Sequence, residues 1–322
     1  MVIPILAGSI GFVVTFVFSR FLIFGKQVMH VAIKPELEKT QAGKTGTPTV
    51  GGLAFCFGTV VAIACLQWKG GDSYSIVLMV TLFLFALIGF FDDITKTRSP
   101  VGDGISSRLK VVLQMVCSAL VLLCMHFFGL LSGEVFLPVV GITTDWGIFY
   151  PVCAFVYIMF FSNAVNISDG LDGLAAGSSL PLVVLVLSIV FLGGLARGIS
   201  LFLAAFLGSL LAFLWYNVKP AKYFMGDCGS QAIGSVIAVS ALLSKVELFV
   251  LVSSGIFLVE FATSLIQIVS IRGRGKKVFL IAPLHHVFEL KGMAEKTIVG
   301  RYCIASWLCT LMAFLLFQFT LR

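Results

Sequence analysis

Residues 74–96 read YSIVLMVTLFLFALIGFFDDITK, an apolar stretch of membrane length that ends in two adjacent aspartates, Asp92 and Asp93. A bilayer core needs about 20 mostly apolar residues to be spanned by a helix. Because a charge near hydrocarbon is costly, carboxylates at the end of such a stretch are candidates for a functional site. The stretch therefore predicts a membrane-spanning helix with a polar site at one end.

The composition of the chain extends this interpretation to its other segments. Of the 322 residues, 59% are hydrophobic and 11% are charged, whereas a soluble domain carries about a quarter charged residues. The eight cysteines form no CxxC pair and mostly lie in apolar stretches, which favours small buried side chains over a zinc site or a disulfide framework. The net charge of +7 comes from short loops, so nucleic acid is not an expected partner.

Ten apolar stretches are long enough to span a bilayer, and they predict an all-α integral membrane protein with about ten transmembrane helices. They are residues 2–24, 48–66, 74–91, 109–130, 150–167, 177–194, 199–217, 230–244, 248–270 and 302–321. No repeat or long hydrophilic segment interrupts them. Residues 1–322 are therefore predicted to form a single polytopic membrane domain.

The loops on one side of these spans hold most of the basic residues. They are residues 25–47, 92–108, 168–176, 218–229 and 271–301. With their flanking positions they contain 18 Lys and Arg, against four on the other side, which makes them cytoplasmic and both termini extracytoplasmic. Five aspartates fall on the same side: Asp92, Asp93, Asp169, Asp172 and Asp227. This distribution predicts one active-site cleft that faces the cytoplasm.

The Asp92–Asp93 pair is followed by Lys96 and, after a loop, by Lys110. The negative macrodipole at a helix C-terminus disfavours carboxylates, so the pair needs cations, either these lysines or a hard divalent metal. Mg²⁺ commonly binds one or two carboxylates together with phosphate oxygens of a substrate. A solvated helix end explains an isolated aspartate pair equally well.

Polar residues recur at every third position of NAVNISDGLDG, residues 163–173. Nine residues of ideal helix turn by about 900°, so Asn163 and Asp172 would point in opposite directions if one helix continued. Gly170 and Gly173 allow a break, and non-helical backbone at membrane depth is tolerated where it lines a cavity. The pattern favours a polar loop lining a cavity over a pair of Asx turns that only caps the next helix.

Two other segments carry polar groups that suit a site. Glycines flank Asp227 in FMGDCGS and would let backbone approach a ligand, although Asp227 would serve equally well as a helix cap. His285 and His286 lie in a basic loop and suit phosphate binding or proton donation. Within the ninth span, Glu260 and Gln267 lie on nearly the same helix face; Glu260 suits a proton relay, an interhelical hydrogen bond or a cavity wall.

Together these segments resemble the polyprenyl-phosphate N-acetylhexosamine 1-phosphate transferases over almost the whole chain. The motifs that carry the resemblance are TPTVGG (47–52), DDITK (92–96), GISSRLKVVLQ (104–114), NAVNISDGLDGLA (163–175), FMGDCGS (224–230) and PLHHVFELKG (283–292). The last motif is similar to that of the branch acting on UDP-N-acetylmuramoyl-pentapeptide in peptidoglycan synthesis. Relatives that transfer simpler N-acetylhexosamine phosphates differ there.

The resemblance implies a reaction and its partners. UDP-N-acetylmuramoyl-pentapeptide and undecaprenyl phosphate would give lipid I and UMP, with Mg²⁺ as cofactor, in the cytoplasmic (inner) membrane of a bacterium. Direct attack by the lipid phosphate is favoured over a two-step route through an aspartyl-phosphate. The Gly-rich second, sixth and seventh spans suit close packing either within a monomer or between the protomers of a homodimer.

The resemblance also implies roles for individual residues. Asp227 would bind Mg²⁺, and Asp92 and Asp93 would either help to hold the metal or position and deprotonate the lipid phosphate. His285 would complete the catalytic set by contacting phosphate, and Phe224 would stack on uracil. The implied substrate-binding residues are Lys44, Thr49, Lys96, Lys110, Asn163, Asn166, Asp169, Asp172, Asn217, Phe224, Gln267 and His286.

Two positions depart from the family's motifs, and two other functions compete with this one. Val287 stands where a third consecutive histidine is usual, and Cys228 replaces the threonine of GDTGS; neither argues against activity. A transferase for another UDP-sugar, such as UDP-N-acetylglucosamine, is the alternative within the class. A secondary transporter is the alternative outside it, disfavoured because the aspartates lie at one interface and only Glu260 lies at mid-depth.

Overall fold

The computed structural model describes residues 2–24, 46–68, 70–99 and 103–320, and these residues are mostly helical. Nine helices among them are long and apolar enough to cross a membrane. They are α1 (Val2–Phe24), α3 (Ser73–Arg98), α4 (Ser107–Phe127), α5 (Tyr150–Ile167), α6 (Leu174–Leu192), α7 (Arg197–Asn217), α8 (Gly226–Ser244), α10 (Gly255–Arg274) and α12 (Glu295–Thr320). The prediction of a helical membrane protein is thus confirmed at this level.

The remaining elements are short. Helix α2 (Gly51–Gln67) is apolar but has only 17 residues, so the predicted number of about ten spans stays a prediction. Short helices α9 (Glu247–Ser253) and α11 (Leu284–Leu290) precede α10 and α12. Strands β1 (Glu134–Leu137) and β2 (Ile142–Asp145) pair antiparallel in a hairpin, which the sequence analysis does not predict.

Several helix boundaries differ from those drawn on hydropathy. Helix α3 continues about two turns beyond the apolar stretch to Arg98. Polar residues can remain helical here because their side chains bond to other parts of the protein. The predicted ninth span is divided at Ser254 into α9 and α10. The helix break predicted after residue 167 is present: α5 ends at Ile167, and Gly173 has a φ of 82° just before α6 begins.

Helix α8 is the centre of the bundle. Every residue from Cys228 to Ser244 is buried, and α2, α3, α5 and α6 all pack against this helix. Small residues, among them Gly229 and Gly234, bring the neighbouring backbones close to it. A helix that is enclosed on all sides can hold a side chain of its first turn in one position, which matters for the site described below.

Glycines also allow α1 and α7 to pack closely. A Cβ built on Gly208 of α7 would overlap the backbone of Gly8 in α1, and one built on Gly11 would overlap the carbonyl of Ala205. A Cβ on Gly58 of α2 would overlap Thr15. Close packing within the chain therefore accounts for glycines of the second and seventh predicted spans.

We expect Gly208→Ala to destabilise the protein by about 1–3 kcal/mol, because the added methyl meets only backbone, which cannot rotate away. Thermal unfolding of the detergent-purified protein measures the effect. Gly300→Ala in α12 is the control, since nothing lies within 4 Å of the added Cβ there. Equal unfolding temperatures for the two variants would contradict the packing described.

Candidate active site

The candidate site lies at the end of the bundle opposite the β1–β2 hairpin. Helices α3, α5, α7 and α10 end there, and α2, α4, α6, α8 and α12 begin there. The segments are joined by contacts between Lys96 and Asp227, Gly173 and Asn217, Lys219 and Glu295, and Gln267 and Phe279. Motifs that are far apart in the sequence are thereby brought to one place.

Three aspartates form the centre of the site. Asp92 and Asp93 lie in the last two turns of α3, and Asp227 lies in the first turn of α8. One oxygen of each carboxylate lies within 4.8 Å of the others, and no other group of three His, Cys, Asp or Glu side chains in the described ranges could hold a metal. Asp92 and Asp93 are nearly fully buried. This carboxylate cluster brings three acidic groups together with little access to water.

The Asp93 carboxylate binds the start of α8. Its Oδ1 accepts a hydrogen bond from the backbone N–H of Asp227, and its Oδ2 accepts one from that of Cys228, both at 3.0 Å. These N–H groups have no intrahelical partner and lie at the positive end of the helix dipole, which favours an anion. Asp93 therefore caps α8 from another helix.

The close approach of α3 to α8 requires glycine at two positions. A Cβ on Gly89 would overlap the backbone of Asp227, and a Cβ on Gly226 would overlap the Asp93 carboxylate. Gly226 also has a φ of 67°, a conformation that other residues rarely adopt. The glycines thus let the carboxylate of Asp93 reach the two N–H groups directly.

Asp92 has a different environment from its neighbour. Its Oδ1 accepts a hydrogen bond of 2.9 Å from the backbone N–H of Ile105. Its Oδ2 lies 2.7 Å from Lys96 Nζ and 3.4 Å from Lys110 Nζ. One oxygen of Asp92 therefore faces the charged centre of the cluster, whereas both oxygens of Asp93 are used by backbone.

Two lysines partly neutralise the cluster. Lys96 Nζ lies 2.9 Å from Asp227 Oδ1, and Lys110 forms an ion pair with Asp227 Oδ2. Three carboxylates and two ammonium groups leave one formal negative charge. Oxygen donors of this kind suit Mg²⁺, and the oxygens of Asp92 and Asp227 that now face lysine are the ones a metal could use.

The TPTVGG motif is joined to the segment before Asp227. The Phe224 N–H donates to the Pro48 carbonyl at 2.7 Å, and the Gly51 N–H donates to the Phe224 carbonyl at 2.8 Å. Thr49 lies between them, and its buried hydroxyl has no hydrogen-bond partner among the described residues. Because buried hydroxyls are usually paired, Thr49 has the capacity to bond a ligand.

Asp172 belongs to an ion-pair network that joins three loops. Lys219 Nζ lies 3.3 Å from Asp172 Oδ2 and 2.7 Å from Glu295 Oε2, and the Asp172 carboxylate also accepts the Ala221 N–H. Burial lowers the pKa of the Lys219 ammonium, but the hydrogen bond to Glu295 and the two negative charges outweigh it, so the pKa is raised. Lys219 therefore stays charged and holds the loops together.

The two asparagines of the 163–173 segment have protein partners. The Asn163 amide donates to Gln114 Oε1 at 3.0 Å, and Gln114 also donates to Gln231 Oε1 at 3.2 Å. The Asn166 amide donates to Ser230 Oγ at 2.8 Å. Asn163 thus lies in a buried amide network among α4, α5 and α8, while Asn166 contacts the turn after Asp227.

The side-chain amides of Asn217 and Gln267 hydrogen-bond to backbone groups. Asn217 accepts the Gly173 N–H at 3.0 Å and donates to the Tyr223 carbonyl at 2.9 Å. Gln267 accepts the N–H groups of residues 278 and 279 and donates to the carbonyl of residue 279. Both are nearly fully buried, so they fix the loops that surround the site.

The two histidines lie side by side but bind different acids. His286 Nδ1 lies 2.8 Å from Glu289 Oε2 in the same short helix, whereas His285 Nδ1 lies 3.1 Å from Glu260 Oε2 in α10. Burial, assisted by the neighbouring His285, lowers the pKa of His286. The two rings therefore differ in environment despite being adjacent.

The structure brings the predicted residues to one end of the bundle, with different surroundings for each. Phe224 and Asp169 are half-buried, and Lys44 lies outside the described residues. Sequence analysis did not single out Gln231, Lys219, Glu295 or Tyr302. A buried glutamine or tyrosine next to apolar residues gives little signal until its partner is known.

Comparison with known proteins adds independent information. The sequence model of glycosyl transferase family 4 matches residues 75–245, more than half of the chain. A phospho-N-acetylmuramoyl-pentapeptide-transferase of Clostridium botulinum is 36% identical, over 88% of this chain and 86% of its own length. Proteins with the same name from Halalkalibacterium halodurans and Chlorobium luteolum are 35% and 36% identical, over 92% and 100% of this chain and 90% of their own lengths. The chain belongs to the phospho-N-acetylmuramoyl-pentapeptide-transferase family.

Family membership decides between the classes of function that the sequence left open. The chain is an enzyme of the glycosyl-1-phosphate transferase type, so the secondary transporter is no longer a competing explanation. The buried carboxylate cluster and its lysines lie within the matched range.

We expect Asp93→Asn to lower stability by about 1–3 kcal/mol, because an amide nitrogen would face one of the two backbone N–H donors and leave it unpaired. Asp92→Asn should cost less, since it removes one charge from a cluster with excess negative charge. Thermal unfolding of both variants tests this asymmetry. Equal losses, or a larger loss for Asp92→Asn, would contradict the capping role.

Proposed function

We propose that this protein transfers phospho-N-acetylmuramoyl-pentapeptide from its UDP-linked donor to undecaprenyl phosphate, giving lipid I and UMP. The observation that supports this most is the buried carboxylate cluster with two lysines, formed by the end of α3 and the starts of α4 and α8. Such a site suits phosphoryl transfer, where the protein mainly positions the reactants and neutralises charge. The names of relatives matched over most of the chain support the donor.

In this proposal Asp92 and Asp227 would hold Mg²⁺, and Asp93 keeps Asp227 in place. The contacts support this assignment, because Asp93 has both oxygens bonded to backbone N–H groups. Asp92 and Asp227 lie closer to Lys96, at 2.7 Å and 2.9 Å from its Nζ, than Asp93 does at 3.9 Å. A bound Mg²⁺ would neutralise phosphate charge.

Lys96 and Lys110 then bind phosphate oxygens of the substrates. Both ammonium groups lie between the carboxylates, and both side chains are partly accessible, at 38% and 18% exposed. A phosphate oxygen of undecaprenyl phosphate attacks the sugar-linked phosphorus of the donor. The pyrophosphate P–O bond breaks, and UMP leaves with the bonding electrons. Direct attack suits this site because the lipid phosphate is itself a nucleophile.

The residues of the proposed nucleotide pocket fall into two groups, those that contact substrate and those that shape the pocket. Thr49, Asn166, Asp169, Phe224 and His286 lie at the same end of the bundle as the cluster and are proposed to contact the nucleotide. A second set holds loops or helices in place, and its side chains already bond to other parts of the chain. This second set consists of Asn163, Asp172, Asn217 and Gln267.

We also propose that the site faces the cytoplasm of a bacterium, with both termini on the far side of its inner membrane. The unequal distribution of Lys and Arg supports this orientation. It gives the soluble UDP-linked donor access to the cluster from the cytoplasm. Undecaprenyl phosphate would arrive from the bilayer that surrounds the apolar helices.

The test is UMP release by the purified protein. With UDP-N-acetylmuramoyl-pentapeptide, undecaprenyl phosphate and Mg²⁺, we expect release that EDTA abolishes. Asp227→Asn should abolish it too, whereas Asp145→Asn in the distant hairpin should not. Release with UDP-N-acetylglucosamine but not with the muramoyl donor would assign the protein to the alternative substrate, and no release with either would contradict the proposal.

A further inference from the structure

A buried hydrogen-bonded group of three side chains joins the PLHHVFELKG segment to α10 and α12. Glu260 of α10 accepts hydrogen bonds from the backbone N–H of His285 at 3.1 Å and from the Tyr302 hydroxyl at 2.5 Å, both through Oε1. Its Oε2 lies 3.1 Å from His285 Nδ1. Glu260 and His285 are completely buried. The carboxylate therefore joins α10, α11 and α12 at one point.

These contacts determine which ring nitrogen of His285 carries a proton. An ionised carboxylate only accepts hydrogen bonds, so the nitrogen that faces Glu260 Oε2 must be protonated for the contact to be favourable. Nδ1 thus carries the proton, and the bond from Tyr302 to the other oxygen prevents the carboxylate from turning away. The imidazole ring of His285 is therefore held in one orientation, with only Nδ1 hydrogen-bonded within the described residues.

The other ring nitrogen has no partner among the described residues. His285 Nε2 is fully buried and unpaired, and it points at the 168–173 turn, where a Cβ built on Gly170 would overlap it. A buried polar atom without a partner needs an explanation. Gly170 directly follows Asp169 in the turn that joins α5 to α6, and Asn166 at the end of α5 bonds to Ser230, one turn after Asp227 in α8. The unpaired atom therefore lies at the end of the bundle that holds the carboxylate cluster.

We infer that Glu260 is a positioning residue, which holds His285 so that Nε2 faces a phosphate oxygen of the nucleotide donor. The identity of this ligand rests on the proposed function; the positioning rests on the contacts alone. A phosphate oxygen accepts hydrogen bonds, so the ring must take up its second proton, at Nε2, from water or from a protonated phosphate as the ligand enters. A carboxylate on the opposite nitrogen stabilises the resulting imidazolium, as in other acid–histidine pairs, and the charge-assisted bond to phosphate is then strong.

His286 is not suited to the same role. Its Nδ1 bonds to Glu289 in the same short helix, and no other helix of the bundle holds it through that bond. The ring centroids of His285 and His286 lie 4.2 Å apart, so two imidazolium ions side by side would repel each other. His285 is therefore the better candidate for binding phosphate, because contacts among α10, α11 and α12 hold its ring in place.

The chain offers a matched control for Glu260. Glu247 of α9 is also buried and accepts a hydrogen bond from a tyrosine hydroxyl, that of Tyr150, at 2.6 Å. It bonds to no histidine among the described residues and lies at the hairpin end of the bundle. Glu260→Gln and Glu247→Gln therefore disturb similar buried contacts, and only the first disturbs His285.

The first measurement is a double-mutant cycle on UMP release. Glu260→Gln should lower kcat by about tenfold or more, whereas Glu247→Gln should leave it near the wild-type value. In a His285→Ala background, Glu260→Gln should add almost nothing, because its effect passes through the missing ring. An equal loss with and without His285, at unchanged thermal stability, would overturn the inference.

The second measurement is ¹⁵N NMR of protein labelled only at histidine, which needs no activity. The chain has four histidines, and His285→Ala identifies the resonances of His285. Wild type should show Nδ1–H. In Glu260→Gln the amide oxygen serves the backbone N–H and Tyr302, so its NH₂ group faces Nδ1 and the proton moves to Nε2.

An unchanged tautomer in Glu260→Gln would overturn the inference. Glu247→Gln should leave the spectrum of His285 as it is in wild type. If wild-type protein releases no UMP at all, the proposed function fails, and the NMR comparison alone decides whether Glu260 positions the ring.

Discussion

The contact between the Asp93 carboxylate and the first N–H groups of α8 is the interaction on which the site depends. It fixes the end of α3 against the start of the most deeply buried helix. Asp227 belongs to the same first turn, so its carboxylate is held near Asp92, Lys96 and Lys110. Gly89 makes the approach possible, since any side chain there would meet the backbone of Asp227. This capping interaction thus positions the Asp227 carboxylate against Asp92 and the two lysines.

Charge balance explains why the cluster is suited to phosphate chemistry. Three carboxylates in a poorly hydrated place are costly unless cations accompany them, and two lysines supply most of the compensation. The same lysines are available to polyanionic substrates if a divalent cation takes their place between Asp92 and Asp227. The acidic and basic groups are therefore already positioned, before substrate binds, at the end of the bundle where the loops meet.

Much of the fold and part of the site were predictable from the sequence, because hydropathy and charge are properties of single segments. The apolar spans, the helix break at Gly170 and Gly173, and the common side of the aspartates follow from such local patterns. The unequal roles of Asp92 and Asp93 do not, since they depend on N–H groups more than 130 residues further along the chain. For the same reason the bonds from Asn217 and Gln267 to loop backbone could not be foreseen, and their predicted contact with substrate stays a prediction. The partner of Glu260 was equally out of reach, since nothing local joins α10 to His285 and Tyr302.

The most direct measurement is equilibrium binding of Mn²⁺, followed by electron paramagnetic resonance as the signal of the free ion decreases. Wild-type protein should bind a single Mn²⁺ that Mg²⁺ displaces, and Asp227→Asn should lose this binding while keeping its fold. Asp93→Asn should weaken the binding, because the turn that carries Asp227 loses its cap. Mn²⁺ binding of unchanged stoichiometry and affinity in Asp227→Asn would show that the carboxylate cluster is not the metal site.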